Sequence, residues 1–185
     1  GGDIYLGVVG AVRTGKSTFI KKFIENLVVP NIEDEYERKR CLDEIPQTAQ
    51  GKTIMTIEPK FVPSTAAKIK VEEFETNIKL VDCVGYVIPA AKGYEDEMGE
   101  PRMVKTPWYD EDIPFVEAAE IGREKVIRDY STIGIVVTTD GSIGDITRNN
   151  YIEAENEVIS ELKEIGKPFI VLLNSAHPTL PETER

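Results

Sequence analysis

The stretch "GAVRTGKST" (residues 10–18) decides the fold of this chain. It fits the pattern G-x-x-x-x-G-K-[ST], in which a glycine-rich loop turns backbone N–H groups toward phosphate oxygens. The preceding segment "DIYLGVVG" (3–10) is short, apolar and β-branched, which predicts a buried strand. The following segment "KSTFIKKFIENL" (16–27) has one apolar face at helical spacing. Strand, glycine loop and helix together are the context that a phosphate-binding loop requires.

The residue types of this loop suit a nucleoside triphosphate and a magnesium ion. Gly10 and Gly15 permit backbone conformations that a Cβ would hinder, and the start of the helix adds a positive dipole end. In this pattern Lys16 reaches the β- and γ-phosphates, and the Ser17 hydroxyl binds Mg²⁺. The predicted nucleotide-binding residues of the loop are Gly10, Ala11, Val12, Arg13, Thr14, Gly15, Lys16, Ser17 and Thr18.

Arg13 has two interpretations at this position. Its guanidinium would lie near the bond between the β- and γ-phosphates and stabilise developing charge, as an arginine finger supplied in cis. Alternatively, the side chain is exposed and only the backbone N–H of Arg13 contacts the nucleotide. Both interpretations stay open from the sequence, and Arg13 is a candidate catalytic residue.

A candidate carboxylate for the magnesium site lies in the stretch "IKLVDCVGY" (78–86). This predicted strand ends in Asp82, and Gly85 follows three residues later. Phosphoryl transfer needs a carboxylate in the magnesium shell, so we expect Asp82 to hold a magnesium-bound water. We expect the Gly85 N–H to contact the γ-phosphate.

The glycine loop, a later loop threonine and strand-D-x-x-G together resemble the translation-factor-related class of P-loop GTPases. In that class a threonine before the second strand binds Mg²⁺. The resemblance implies Thr56 for this role, with Thr53 and Thr48 as alternatives. The candidate catalytic residues are then Lys16, Asp82, Thr56 and Arg13, and the candidate metal ligands are Ser17, Thr56 and Asp82.

Two departures from that class bear on the chemistry. Tyr86 stands where small GTPases have a glutamine that orients the attacking water, which predicts slow or assisted hydrolysis. The guanine-reading pattern N-K-x-D is replaced by "NSAH", which keeps Asn174 but has Ser175 and His177. A histidine cannot accept both guanine N–H donors, and the loss of such hydrogen bonds removes discrimination. We therefore expect ATP rather than GTP, with Asn174 still contacting the nucleotide.

Composition excludes several other functions. The chain has 185 residues, 41% of them hydrophobic, and a net charge of −11. Such an acidic domain repels nucleic acid. No apolar run approaches the roughly 20 residues of a transmembrane span. Two cysteines do not make a disulfide scaffold, so a reducing, cytoplasmic compartment is expected.

The alternation of apolar strands with helices predicts a three-layer α/β fold. Its sheet is expected to be mostly parallel with one antiparallel edge strand, and to be covered on both faces. We predict one P-loop NTPase domain over 1–185, with a surface insertion at about 86–114. The chain ends where this fold usually adds a helix and a strand, which predicts a truncated C-terminus. Beyond the first strand and helix, we predict helices at 34–44, 114–130 and 145–166 and strands at 53–63, 67–74, 76–85, 132–141 and 167–176, with Pro59 indicating an edge or a bulge.

A closer resemblance extends along essentially the whole chain. The stretches that carry it are "GDIYLGVVGAVRTGKSTFIKKF", "GKTIMTIEPKFVP", "LVDCVGY", "AAKGYEDE", "TPWYDEDIPFVEAAEIG", "TDGSIGDI" and "NSAHP". Together they resemble the stage IV sporulation protein A family, the spore-coat scaffold proteins of endospore-forming bacteria. The resemblance implies a magnesium-dependent ATPase descended from GTPases, with Lys16, Asp82 and Thr56 at the matching functional positions.

The same resemblance implies a biological setting. Family members polymerise into a static layer on the forespore surface, in the mother-cell cytoplasm. They are longer, with further domains after this one. Those further parts would provide contacts to spore-coat proteins and to a small amphipathic membrane peptide. On this interpretation, the chain is the ATPase domain alone.

Overall fold

A computed structural model describes residues 2–45, 58–83, 85–88, 90, 95 and 97–184. Seven strands and five α-helices are assigned in these residues. The strands are β1 (Asp3–Gly10), β2 (Lys60–Val71), β3 (Phe74–Asp82), β4 (Met103–Thr106), β5 (Tyr109–Pro114), β6 (Ile133–Thr139) and β7 (Phe169–Asn174). The helices are α1 (Lys16–Phe23), α2 (Glu35–Asp43), α3 (Phe115–Lys125), α4 (Ile152–Ile165) and α5 (Pro181–Glu184).

The main sheet has five strands in the order β2-β3-β1-β6-β7. β1 is parallel to β3 and β6, β7 is parallel to β6, and only β2, at one edge, runs antiparallel to its neighbour. The predicted mostly parallel α/β sheet with one antiparallel edge strand is confirmed. Its register places Val8 opposite Asp82, and Thr139 opposite Asn174. The carboxyl ends of β3, β1 and β7 therefore meet at one edge of the sheet, where such folds bind ligands.

Apolar side chains cover both faces of this sheet. On one face Ile20 and Ile24 pack with Val8 and Leu80 in a continuous buried cluster. On the other face α3 and α4 cover the strands, with Leu162 fully buried. A parallel sheet buried on both faces explains why β1 and β6 read as unbroken apolar runs rather than alternating ones.

Two helices differ from their predicted bounds. The regular part of the helix predicted to reach Leu27 ends at Phe23 and continues as a wider π-turn over Ile24–Val28. The extra residue in that turn rotates Leu27 away from the core, and it is 44% exposed. The helix predicted from residue 145 begins only at Ile152, because the preceding residues form a loop and a short 3₁₀ turn.

The edge of the sheet is also simpler than predicted. Strand segments were expected at 53–63 and 67–74, but β2 runs without a break from Lys60 to Val71. A register shift between Val62 and Ala67 lets both halves pair with β3. The edge position and the irregularity agree with the prediction from Pro59. Residues 46–57 lie outside the described residues.

Part of the predicted surface insertion at 86–114 forms regular elements. β4 and β5 form an antiparallel hairpin whose two-residue turn follows Thr106. In β4, buried Val104 and Thr106 alternate with exposed neighbours. Four residues between prolines are too few for that alternation to be read from sequence alone. Trp108 in the turn packs against the main core, as expected for an insertion folded onto its own domain.

Candidate nucleotide-binding site

The loop between β1 and α1 is held by hydrogen bonds to its carbonyl groups. The Tyr151 hydroxyl donates to the Arg13 carbonyl at 3.4 Å, and the Asn174 amide donates to the Thr14 carbonyl at 2.7 Å. A trans peptide places its N–H opposite its carbonyl. The N–H groups of Thr14 and Gly15 therefore point away from the residues that anchor the loop, toward its open side. This is the arrangement that an anion-binding loop needs.

The N-terminus of α1 faces the same open side. Its N-cap is Gly15 in the left-handed conformation (φ 81°), and no described side chain caps the helix. The first turn contains no acidic residue. No acidic residue of this first turn neutralises the positive end of the helix, which favours a bound phosphate. Ser17 and Thr18 are exposed in this first turn, so their hydroxyls are accessible.

The segment after β3 lies directly against the loop. The Val12 N–H donates to the Tyr86 carbonyl at 2.9 Å, and the Tyr86 N–H donates to the Gly10 carbonyl at 3.3 Å. A Cβ on Gly85 would lie 2.9 Å from the Val12 nitrogen, so only glycine fits there. The Val12 N–H is already bonded within the protein, so a contact between Val12 and the nucleotide stays a prediction. Buried Ala11 bridges Tyr86 in the same contact.

Lys16 and Asp82, predicted from separate motifs, meet below the loop. The buried Lys16 amine donates to the Asp82 carboxylate and to the Cys83 carbonyl. Their side chains are 10% and 17% exposed. A buried ion pair is a poor source of stability, since desolvating both charges offsets their attraction. A buried pair at the carboxyl edge of a parallel sheet is better explained by a functional site.

The Cys83 thiol takes no part in this charge arrangement. Burial raises the pKa of the Cys83 thiol to about 11, and the nearby Lys16 cation lowers it only in part. The thiol therefore stays protonated and is not a nucleophile at neutral pH.

Tyr86, at the position of the water-orienting glutamine, is turned into the protein. It is buried, and the Arg123 guanidinium carbon lies 5.3 Å from the centre of its ring. Arg123 is buried as well and pairs with Glu161 at 3.1 Å and Glu157 at 3.5 Å on α4. Burial raises the pKa of the Tyr86 hydroxyl, and the Arg123 cation offsets only part of that rise. The phenol is therefore neutral and directed away from the open side of the loop.

A cleft of about 500 Å³ opens beside the phosphate loop at the end of β7. The loop and α1 contribute Arg13, Gly15 and Thr18, and the end of β7 contributes Asn174 and Ser175. The residues after β6 supply the remaining wall. A cleft of this size suits a small-molecule ligand.

Arg13 occupies the most strained position of the loop. Its φ is 62°, a left-handed conformation that costs a non-glycine residue about 1 kcal/mol or more. Its side chain is exposed at the cleft. Strain of this kind persists where surrounding contacts fix the backbone, and here its carbonyl accepts from Tyr151.

The predicted magnesium-binding threonines cannot be located. Thr56, and its alternatives Thr53 and Thr48, lie outside the described residues. Of the predicted metal ligands, the structure therefore describes Ser17 at the start of α1 and Asp82 at the end of β3.

Sequence reasoning missed three residues that shape the site. Tyr151 holds the loop and Arg123 packs on Tyr86, but neither lies in a motif. Asp140 lies just after β6, and its carboxylate accepts from the N–H and hydroxyl of Ser142 at 2.9 and 2.5 Å. The run "TDGS" at a strand end was the only available signal, because an Asp two residues before a Ser often forms such a turn.

Similarity to known proteins bears on this site. A family model described as the ATPase domain of stage IV sporulation protein A matches residues 1–185. Proteins named stage IV sporulation protein A are similar over the chain: 68% identical in Bacillus subtilis, 66% in Bacillus anthracis and 56% in Clostridioides difficile. These matches cover 98–100% of this chain but only 37–38% of each relative. The chain belongs to the stage IV sporulation protein A family, of which it matches the ATPase domain.

Proposed function

We propose that this chain binds ATP with Mg²⁺ and hydrolyses it to ADP and phosphate. The observation that carries the proposal is the buried pair of Lys16 and Asp82 beside a loop whose Thr14 carbonyl is held by the Asn174 amide. The amine and the carboxylate are the two charges that a magnesium–triphosphate complex requires, one for the phosphates and one for the metal shell. The match to an ATPase-domain family supports the same conclusion.

The described residues would hold magnesium and nucleotide through Lys16, Asp82 and Ser17. Lys16 would exchange Asp82 for phosphate oxygens, and Asp82 would then bind a water of the metal shell. Ser17, exposed in the first turn of α1, would provide a hydroxyl ligand, and Thr56 would provide the second. Magnesium, when bound, neutralises charge on the transferred phosphoryl group. The Gly85 N–H, on the segment that lies against the loop, would contact the γ-phosphate.

Hydrolysis by this site would not use Tyr86 to orient water, since that side chain is buried beneath Arg123. Two sources remain for the cation that stabilises developing charge and for the group that orients the attacking water. Arg13 is exposed at the loop and would supply a cation in cis. Alternatively, a group from outside the described residues completes the site. Both alternatives predict slow turnover by the isolated chain.

ATP is the proposed nucleotide because only the asparagine of the guanine-reading pattern N-K-x-D is kept, in the stretch 174–177. Asn174 is bonded to the loop carbonyl of Thr14 and keeps a structural role. Exposed His177 donates its backbone N–H to the Ser175 hydroxyl at 2.9 Å, and its carbonyl accepts from the Thr183 hydroxyl at 3.0 Å. Neither Ser175 nor His177 provides the carboxylate that selects guanine. The abundance of ATP in cells then decides which nucleotide occupies the site.

The wider proposal concerns the whole protein. This chain spans less than two-fifths of the length of the relatives that it matches. We propose that ATP hydrolysis drives self-assembly into a spore-coat layer on the forespore surface, in the mother-cell cytoplasm. Contacts to coat proteins and to a small amphipathic membrane peptide would come from further parts of the protein. No helix in the described residues is long and apolar enough to cross a membrane.

The test is phosphate release by the full-length protein with ATP or GTP, with sedimentation of assembled material in parallel. The proposal expects Mg²⁺-dependent release from ATP, and assembly that requires a hydrolysable nucleotide. Strong preference for GTP would replace the ATP proposal with a signalling GTPase. Assembly that proceeds equally with a non-hydrolysable ATP analogue would separate hydrolysis from assembly.

A second candidate is a structural module that binds nucleotide without turnover. The specific observation in its favour is the burial of Tyr86. Asp82 weighs against it, because binding alone does not require a carboxylate in the metal shell. Stoichiometric ATP binding without phosphate release, in the assembled as well as the free protein, would establish this alternative.

A further inference from the structure

The cleft beside the phosphate loop has an apolar wall that no motif accounts for. Ile143, in the loop after β6, is 41% exposed and lines this cleft. Its Cδ1 atom lies 3.5 Å from the position of a Cβ on Gly15. Ile143 therefore lies over the start of α1, on the side that Asn174 and Ser175 also face.

Ser175 does not fill the space that a lysine stem would occupy after Asn174. Its hydroxyl lies 3.4 Å from the Ser142 hydroxyl and accepts from the His177 N–H at 2.9 Å. The side chain is thus bonded within the two loops and leaves the middle of the cleft open. A short hydroxyl used in this way offers no flat apolar surface to a base.

Hydrogen bonds next to Ile143 fix its position. The Ser142 hydroxyl donates to Asp140 at 2.5 Å and accepts from the Ala176 N–H at 2.7 Å. These bonds join the loop after β6 to the residues after β7. Ile143 follows Ser142 directly, so its backbone is held beside the base-reading stretch rather than moving freely at the surface.

We infer that Ile143 is the apolar surface on which the nucleobase lies, and that this residue sets nucleoside affinity. The inference rests on the proposed nucleotide binding. A nucleobase is a flat ring with polar edges, and an aliphatic side chain can cover its face while making no demand on its edges. Recognition through the face gains affinity from any purine. This contact by itself does not distinguish ATP from GTP.

The test measures binding to the full-length protein of ATP, GTP and inorganic tripolyphosphate, each with Mg²⁺. Ile143→Ser is compared with Ile152→Ser, whose parent side chain is 40% exposed at the start of α4 and does not line the cleft. Covering the exposed part of one isoleucine corresponds to about three- to tenfold in affinity. Ile143→Ser should weaken ATP and GTP by that factor and leave tripolyphosphate unchanged, and Ile152→Ser should change none of the three.

Two results would overturn the inference. Equal losses for tripolyphosphate and ATP in Ile143→Ser would mean that the substitution disturbs the phosphate loop. Unchanged binding of all three would mean that the base lies elsewhere. If the wild-type protein binds neither ATP nor tripolyphosphate, the proposed function itself fails and this inference fails with it; binding with no contribution from Ile143 removes only the inference.

Discussion

Replacing the two buried charges below the phosphate loop should separate their structural role from their chemical role. Lys16→Met leaves the Asp82 carboxylate, only 17% exposed, without its cation. Asp82→Asn leaves the Lys16 amine, 10% exposed, with the Cys83 carbonyl as its remaining partner. Removing one member of a buried pair costs about 3–5 kcal/mol. Partial exposure and the Cys83 bond reduce this, so we expect about 2–3 kcal/mol for each single variant.

The double variant Lys16→Met with Asp82→Asn removes both charges. Neutral groups of similar volume replace a buried pair with little loss, so the double variant should lose at least about 2 kcal/mol less than the sum of the single variants. Urea unfolding followed by the fluorescence of Trp108, the one tryptophan of the chain, measures this. Trp108 packs against the core, so its emission should change on unfolding.

Across the two single variants and the double variant, the affinity for Mg²⁺-ATP should not follow the free energy of unfolding. All three variants lack Lys16, Asp82 or both, so each should lose most of its Mg²⁺-ATP affinity even where the fold is restored. Stable single variants, or effects that simply add in the double variant, would refute the buried-pair reasoning. A double variant that binds Mg²⁺-ATP like the wild type would refute the functional assignment of both residues.

Three further variants test other parts of the site. Arg13→Gly should be at least as stable as Arg13→Ala in urea unfolding, because glycine relieves the strain of the φ of 62°. If Arg13 is a catalytic cation, both variants lower kcat with little change in KM. An unchanged kcat removes Arg13 from the catalytic residues. Arg123→Met should destabilise the chain by about 2–4 kcal/mol, since it leaves Glu161 partly buried and unpaired, and adding Glu161→Gln should recover part of that loss; additive losses would refute the pairing. Asp140→Asn should lower the melting temperature near neutral pH: hydroxyl and N–H donors from Ser142 lower the pKa of Asp140 to about 2, so its contribution is present above pH 4 and is lost as pH falls toward 2. A wild-type advantage that persists unchanged at pH 2 would contradict this assignment.

The sheet could be predicted from sequence because its strands carry their signal locally. β1 and β6 are apolar runs largely buried on both faces, which gives them no competing interpretation. β7 lies at the edge of the sheet and is partly exposed, but its apolar run after α4 still predicts a strand. β4 and β5 could not be predicted, because four to six residues between prolines do not establish a period. The late start of α4 was missed for a different reason. No glycine or proline separates the 3₁₀ turn Arg148–Asn150 from α4, so the sequence marks no boundary there.

The residues of the candidate site also divide into those that the sequence could predict and those that it could not. Lys16 and Asp82 could be proposed from the sequence because each lies in a motif with fixed spacing, and the register of β1 and β3 brings the two side chains together. Arg123 and Ile143 could not be found, because a buried arginine and an exposed isoleucine have no signature without their neighbours. The sequence also could not reveal that Tyr86 turns inward, since that depends on a cation from α3, more than thirty residues away.

Phosphate release from ATP by the full-length protein, compared between the wild type and Lys16→Met, tests the central claim most directly. The account predicts Mg²⁺-dependent release by the wild type, and at least a hundredfold less by Lys16→Met, as loss of about 3 kcal/mol of phosphate stabilisation implies. Circular dichroism of both proteins is the control for retention of the fold. Equal release by the two proteins would contradict the assignment of this site as an ATPase centre.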